Sequence, residues 1–304
     1  MAGSRRSTKG NGGAAAVVAL LAEGERIAAF ADRLVSAVNA MDVRPGDLKD
    51  GQAMAVFAVA KSAKTHRAIM SLCRKGFGED AAVLVRSMFE LAMDLKYVAA
   101  DPSGDRARRW IDYGWALRYE FTEIIKAEPT LAHHRQHVAA DEPNQQEITA
   151  EARRADQEWG FLRFNKAGEF RGLHPWAGKS DWDVAKEVGW EGHYRTVFKI
   201  TSMRAHSNVL ASNDYLALLN GVLRVRTGRS DNLLEEVLFS ANGYLLEVAR
   251  HWCGLMNAAQ ELQDEMAKIN AAVVDAHLER IGPERRARLG YPTEAPPGEE
   301  AARS

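Results

Sequence analysis

The sequence predicts an all-α helical bundle with a loop-rich aromatic segment and long C-terminal helices. Three observations predict it. Apolar residues recur at helical spacing along most of the chain, no series of runs alternates apolar with polar residues, and proline and glycine fall mainly where the apolar stripes stop. With 304 residues, 46% of them hydrophobic, the chain can bury a substantial core.

Residues 1–13 are rich in Gly, Ser, Lys and Arg and read as a disordered basic tail. Arg5 and Arg6 ahead of Ala14–Ala22 have the outline of a twin-arginine export signal, but Glu23, Glu25 and Arg26 interrupt the apolar run. The stripe Val17, Leu20, Leu21, Ile27, Phe30, Leu34, Val38 continues through them, so a first amphipathic helix is expected over about Ala14–Ala40. Pro45 and Gly46 make a turn, and a second helix covers about Ala53–Lys75 and stops at Gly76 and Gly78. A third begins at Glu79 and Asp80, acids suited to a helix N-terminus, and ends near Pro102. A fourth runs from about Ser103 to Lys126. Pro129 and Pro143 bracket a polar segment before a helix over Glu147–Trp159. Residues 160–192 hold Trp176, Trp182 and Trp190 among Gly, Pro and Asp, which reads as a packed loop with one short helix, Asp183–Val188. Helix follows over about His193–Leu210, a short extended piece over Gly221–Gly228, and long helices over about Asn232–Leu255 and Ala258–Arg280. Residues 282–304 read as a disordered tail, leaving 14–281 as a single helical domain.

The formal net charge is -1, so no global positive field draws the chain to nucleic acid, and such binding would need a local patch. Cys73 and Cys253 sit in apolar helical patterns and form no CxxC pair, which fits a reducing, cytoplasmic setting. No segment reaches the about 18 consecutive apolar residues of a membrane span. The phosphate-loop, dinucleotide and nucleophile-elbow motifs are missing.

Four groups of residues can carry chemistry. Arg86, Glu90 and Asp94 fall at i, i+4 and i+8 on one helical face, either as a salt-bridged surface stripe or as an arginine held by a carboxylate in a polar pocket. Arg195, Lys199, Ser202 and His206 follow at +4, +3 and +4 and project in one line, with Tyr194 on a neighbouring face. That line is either a solvated cationic face or a phosphodiester site, with His206 moving a proton and Lys199 neutralising phosphate charge. His133, His134 and His137 have one metal-compatible spacing but no further ligand at a telling distance, so no metal and no cofactor is expected. Arg224, Arg226 and Arg229 form a basic loop able to touch backbone phosphates.

Two blocks then resemble one family. Leu84, Arg86, Ser87, Met88, Phe89, Glu90 and Tyr97 match the first. Trp176, Gly178, Ser180, Ala185, Tyr194, Ser202 and His206 match the second. Together, over about Lys61–Asn213, they are similar to an uncharacterised bacterial helical family, the domain of unknown function numbered five-six-seven-seven. The family-like core would span about 53–255. The family has no settled activity. More loosely, the chain resembles HEPN domains, helical ribonucleases and nucleic-acid binders of toxin–antitoxin and phage-defence systems. Their motif places Arg before His; here Lys199 precedes His206, and a point charge does not replace a planar two-pronged donor. That resemblance implies a homodimer and a metal-independent endoribonuclease with His206 and Lys199 catalytic, Ser202 assisting, and Arg86, Glu90, Tyr194 and Arg195 shaping the pocket. The expectation placed first is a non-catalytic scaffold or sensor that binds a partner protein or RNA, in which Arg86, Glu90 and His206 fix helix packing.

Overall fold

The computed structural model describes residues 12–41, 44, 46–131, 142–205, 212–219 and 222–288. Long amphipathic helices dominate it, as the apolar periodicity predicts. Helix α1 spans Gly12–Ala40, α2 Asp50–Arg74, α3 Gly78–Ala99, α4 Asp105–Ala127 and α5 Glu142–Trp159. Strands β1 (Leu162–Phe164) and β2 (Phe170–Leu173) and the short α6 (Asp181–Glu187) follow. Helix α7 covers 191–205 and contains a π-helical segment, Tyr194–Phe198. A single turn, Ser212–Tyr215, leads to β3 (Leu216–Leu219) and β4 (Val222–Val225), and then to α8 (Leu234–Leu255) and α9 (Gln260–Arg288).

Helices α1, α2, α3 and α8 pack on one another and bury the main core. Leu20, Ile27, Phe30 and Leu34 enter it from α1, the stripe that the sequence marks as apolar. Cys73 and Cys253 are free and buried in it, and burial pushes the Cys73 thiol up to about 12. A second, smaller cluster joins α4, α5 and the β1–β2 hairpin around Ala116, Tyr119, Ala152 and Phe161.

Three boundaries differ from the sequence reading. Helix α5 begins at Glu142, which puts Pro143 in the first turn, where a missing N–H costs nothing. The aromatic stretch after residue 160 contains an antiparallel hairpin, Leu162 opposite Leu173, as well as a short helix. Helix α9 passes Pro283 and ends at Arg288, whereas composition predicts a tail from 282.

A polar network lies inside the main core. His66 and Asn242 are fully buried and Glu23 nearly so. The His66 Nε2–H donates to Asn242 Oδ1 at 2.8 Å, and Asn242 Nδ2 donates to the Leu20 carbonyl at 3.1 Å and to Glu23 Oε1 at 3.0 Å. Helices α1, α2 and α8 thus share one side-chain amide. Gly24 allows that approach: a Cβ there would stand 2.7 Å from Met70 and 2.8 Å from Asn242 Oδ1. Burial, with Arg74 adding to it, pulls the His66 pKa below its ordinary value, against the raising effect of the Asn242 bond. The ring is therefore neutral. Its Nδ1, the acceptor nitrogen of that tautomer, has no partner among the described residues.

Candidate functional site

The site begins with the third helix and its i, i+4 spacing. On α3, Arg86 Nε donates to Glu90 Oε1 at 2.9 Å, the pair that the sequence marks. The same guanidinium reaches across to α7. Its Nη1 donates to Ser202 Oγ at 3.1 Å, and its carbon lies 4.7 Å from the centre of the Phe198 ring. The two family-like blocks therefore meet at Arg86. An arginine held by a carboxylate, a hydroxyl and an aromatic face is a tie between helices, and its planar fork suits that work better than a lysine would.

Phe89, fully buried next to it, is the hub of an aromatic cluster. Trp190, Phe198 and Tyr244 lie 5.7, 5.7 and 5.6 Å from it, and Tyr194 lies 6.4 Å away. Tyr194 stacks on Phe198 at 4.4 Å within the π segment. A π turn holds more residues than an α turn, which shifts the angular register of the residues after it. Such segments recur at functional sites. Here the expected line does not point one way. Ser202 is partly buried against Arg86, while Lys199 is exposed and Arg195 lies exposed over the Trp182 ring at 4.9 Å. His206, the residue expected to move a proton, lies outside the described residues.

Asp94, one turn beyond Glu90, is legible in the sequence only as the end of the acidic stripe. Burial first, then the carboxylates of Asp181 and Glu90, push its pKa up to about 8, against a hydrogen bond from Trp176. Tyr194 also titrates above its ordinary value, through burial and then Asp181. Arg86, Glu90, Asp94, Asp181 and Tyr194 thus feel one another across α3, α6 and α7. The pH consequence has a definite sign. An unfolded aspartate titrates near about 4. Between that value and about 8 the folded chain binds one proton more than the unfolded chain, so this group's contribution to stability falls as pH rises through that window. Asp94→Asn should lie closer to wild type in urea unfolding at pH 5 than at pH 9, where the variant should be the more stable protein. A wild-type advantage that grows with pH would contradict the assignment.

Among the described residues, no group of three or more His, Cys, Asp or Glu is placed to hold a metal ion. His133, His134 and His137 lie outside them. No helix among the described residues is long and apolar enough to cross a membrane.

Beyond α7 the chain makes a hairpin, and the extended piece expected over Gly221–Gly228 contains its second strand. β3 and β4 pair antiparallel, with Leu216 opposite Val225 and Leu219 opposite Val222. Every residue of β4 is exposed, with Leu223 at 60% and Val225 at 71%. Alternation puts Leu223 and Val225 on one face, and the register adds Leu216 across the ladder. Arg224, Arg226 and Arg229 are exposed beside that face. Three contacts anchor the hairpin at its base. Arg204 pairs with Asp214 at 3.0 Å, the Arg226 N–H donates to the Tyr215 carbonyl at 2.7 Å, and the Ser230 N–H donates to the Gly76 carbonyl at 2.8 Å.

A family model described as a family of unknown function (DUF5677) matches residues 52–222, more than half of the chain. No curated protein matches, and no solved structure matches.

Proposed function

The chain belongs to the DUF5677 family of unknown function, and on that premise we propose that it is a non-catalytic helical scaffold that binds a protein partner through the β3–β4 hairpin. One observation carries this reading: the apolar face of Leu216, Leu223 and Val225 is exposed. Two strands alone are marginally stable in water, and an open strand edge is a template for another chain. Strand addition followed by burial of that face would satisfy both. The arginines beside it favour a partner segment that carries acidic side chains. In this reading Arg86, Glu90 and Ser202 do no chemistry. They hold α7 against α3 and so place the chain that leads to the hairpin.

A second reading, a metal-independent endoribonuclease, is favoured by the contact between Arg86 and Ser202, which brings the two family-like blocks together as a shared site needs. Lys199 would then neutralise phosphate charge and His206 would move the proton. The readings separate on a mixed labelled RNA pool incubated with the protein and a chelator. The scaffold reading expects no cleavage above buffer. Cleavage that disappears in a folded His206→Ala variant would replace it with the nuclease.

A further inference from the structure

A cavity of about 890 Å³ opens between α7, α8 and α9, with Ala82 and Val85 of α3 also in its wall. Its walls are mostly apolar, with Val197 and Ile200 from α7, Val237 and Gly243 from α8, and Met266 and Val273 from α9. Pockets of this size and character hold small molecules.

Gly243 shows that the space is real. It sits in the interior of α8, where glycine costs a helix about 1 kcal/mol relative to alanine. Yet a Cβ built there would meet nothing within 4 Å. The helix forgoes a side chain it has room for, and that room belongs to the cavity.

The polar groups define what can enter. The hydroxyl of Thr196 is spent on the Gly192 carbonyl at 2.7 Å and that of Thr201 on the Val197 carbonyl at 2.8 Å. Glu247 and Arg250 pair with each other at 2.7 Å. Glu236, Ser240, Asn270 and His277 also line the cavity, Glu236 and Asn270 from exposed positions where water keeps their polar groups. His193 and Tyr244 are set apart by lying together against the Trp190 ring. His193 Nδ1 and the Tyr244 hydroxyl share a bond of 3.1 Å, and Trp190 stacks on the imidazole at 5.3 Å. Whichever of the two donates in that bond, the pair keeps one further N–H or O–H proton: His193 Nε2–H or the tyrosine O–H.

We propose that this cavity is a binding site for a neutral, predominantly apolar small molecule with one hydrogen-bond acceptor, such as a carbonyl, seated against His193 and Tyr244. The proposal goes beyond the hairpin reading and does not depend on it.

The test uses the full chain, the neutral fluorophore N-phenyl-1-naphthylamine as probe, and 2-undecanone, decanoate and decyltrimethylammonium as competitors. The probe should bind saturably at one site, and the ketone should displace it more effectively than either ion. Gly243→Leu fills the space from an uncrowded position, and Ile200→Trp narrows it from a residue already 41% exposed. Each should weaken probe binding by at least about tenfold, or 1.4 kcal/mol, with an unchanged circular dichroism spectrum. Leu223→Lys/Val225→Lys should bind the probe as wild type does, which separates a failure here from a failure of the hairpin reading. Non-saturable binding, binding undiminished in both cavity variants, or better displacement by either ion would overturn the proposal.

Discussion

Asn242→Ala is expected to cost about 4 kcal/mol of folding stability, a large share of the total for a chain of this kind. The figure reflects the groups that the substitution strands. Asn242 receives the proton of His66 Nε2 and gives its own two to Leu20 and Glu23, all within the main core. Removing the amide leaves the His66 ring N–H unpaired, the Leu20 carbonyl with its helical bond alone and the Glu23 carboxylate with only Arg280 at 3.6 Å, and a buried unpaired group costs about 1–3 kcal/mol. The cavity from the lost side chain adds to this, and relaxation of the helices subtracts from it. Equilibrium unfolding in urea measures the difference. A loss below about 1 kcal/mol would mean that the network is not the tie between α1, α2 and α8 that the distances describe.

The pH dependence of the same network comes from His66. Its folded pKa is depressed below the ordinary value of 6.5, so the unfolded chain binds the proton more readily. Its contribution to stability is therefore present above that value and is lost as pH falls through the window below it. Asp94 acts in the opposite direction, with a contribution that declines as pH rises towards about 8. In the window below 6.5 the two slopes oppose each other, and between 6.5 and about 8 only the Asp94 decline remains, so over that upper range these two groups lower stability as pH rises.

Helices were legible because burial of one face leaves a periodic trace. The α1 stripe from Leu20 to Leu34 is buried as the spacing indicates. The Arg86–Glu90 bond was legible for the same reason, since residues four apart meet on a helix. Whether α3 and α7 touch was not legible in the sequence, and Arg86 with Ser202 makes that link across 116 positions. Three features left no local signal. The π segment depends on how Tyr194 and Phe198 fit around Phe89, a tertiary matter that overrides the ordinary turn. The β1–β2 hairpin is built from strands of three and four residues, too short to show an alternation. Asn242 and His66 are 176 positions apart, and a lone polar residue on an apolar stripe does not name its partner.

Leu223→Lys with Val225→Lys is the change expected to have the largest functional effect, because it alters the exposed apolar face and leaves the helical core untouched. Both side chains are more than half exposed, so neither replacement buries a charge, and the melting temperature should stay within about 2 °C of wild type. Partner binding has no such tolerance. Two desolvated ammonium groups within a small interface cost several kcal/mol, enough to weaken an affinity by about a thousandfold. The most direct measurement compares the wild-type and doubly substituted chains, immobilised at equal density, in their retention of protein from the source cells. A second copy of the chain is scored with the other proteins, and retained bands are re-tested after purification. The account expects a purified protein that binds wild type and not the variant. Equal retention by both chains, or retention of RNA that the wild-type chain cuts in chelator, would contradict it.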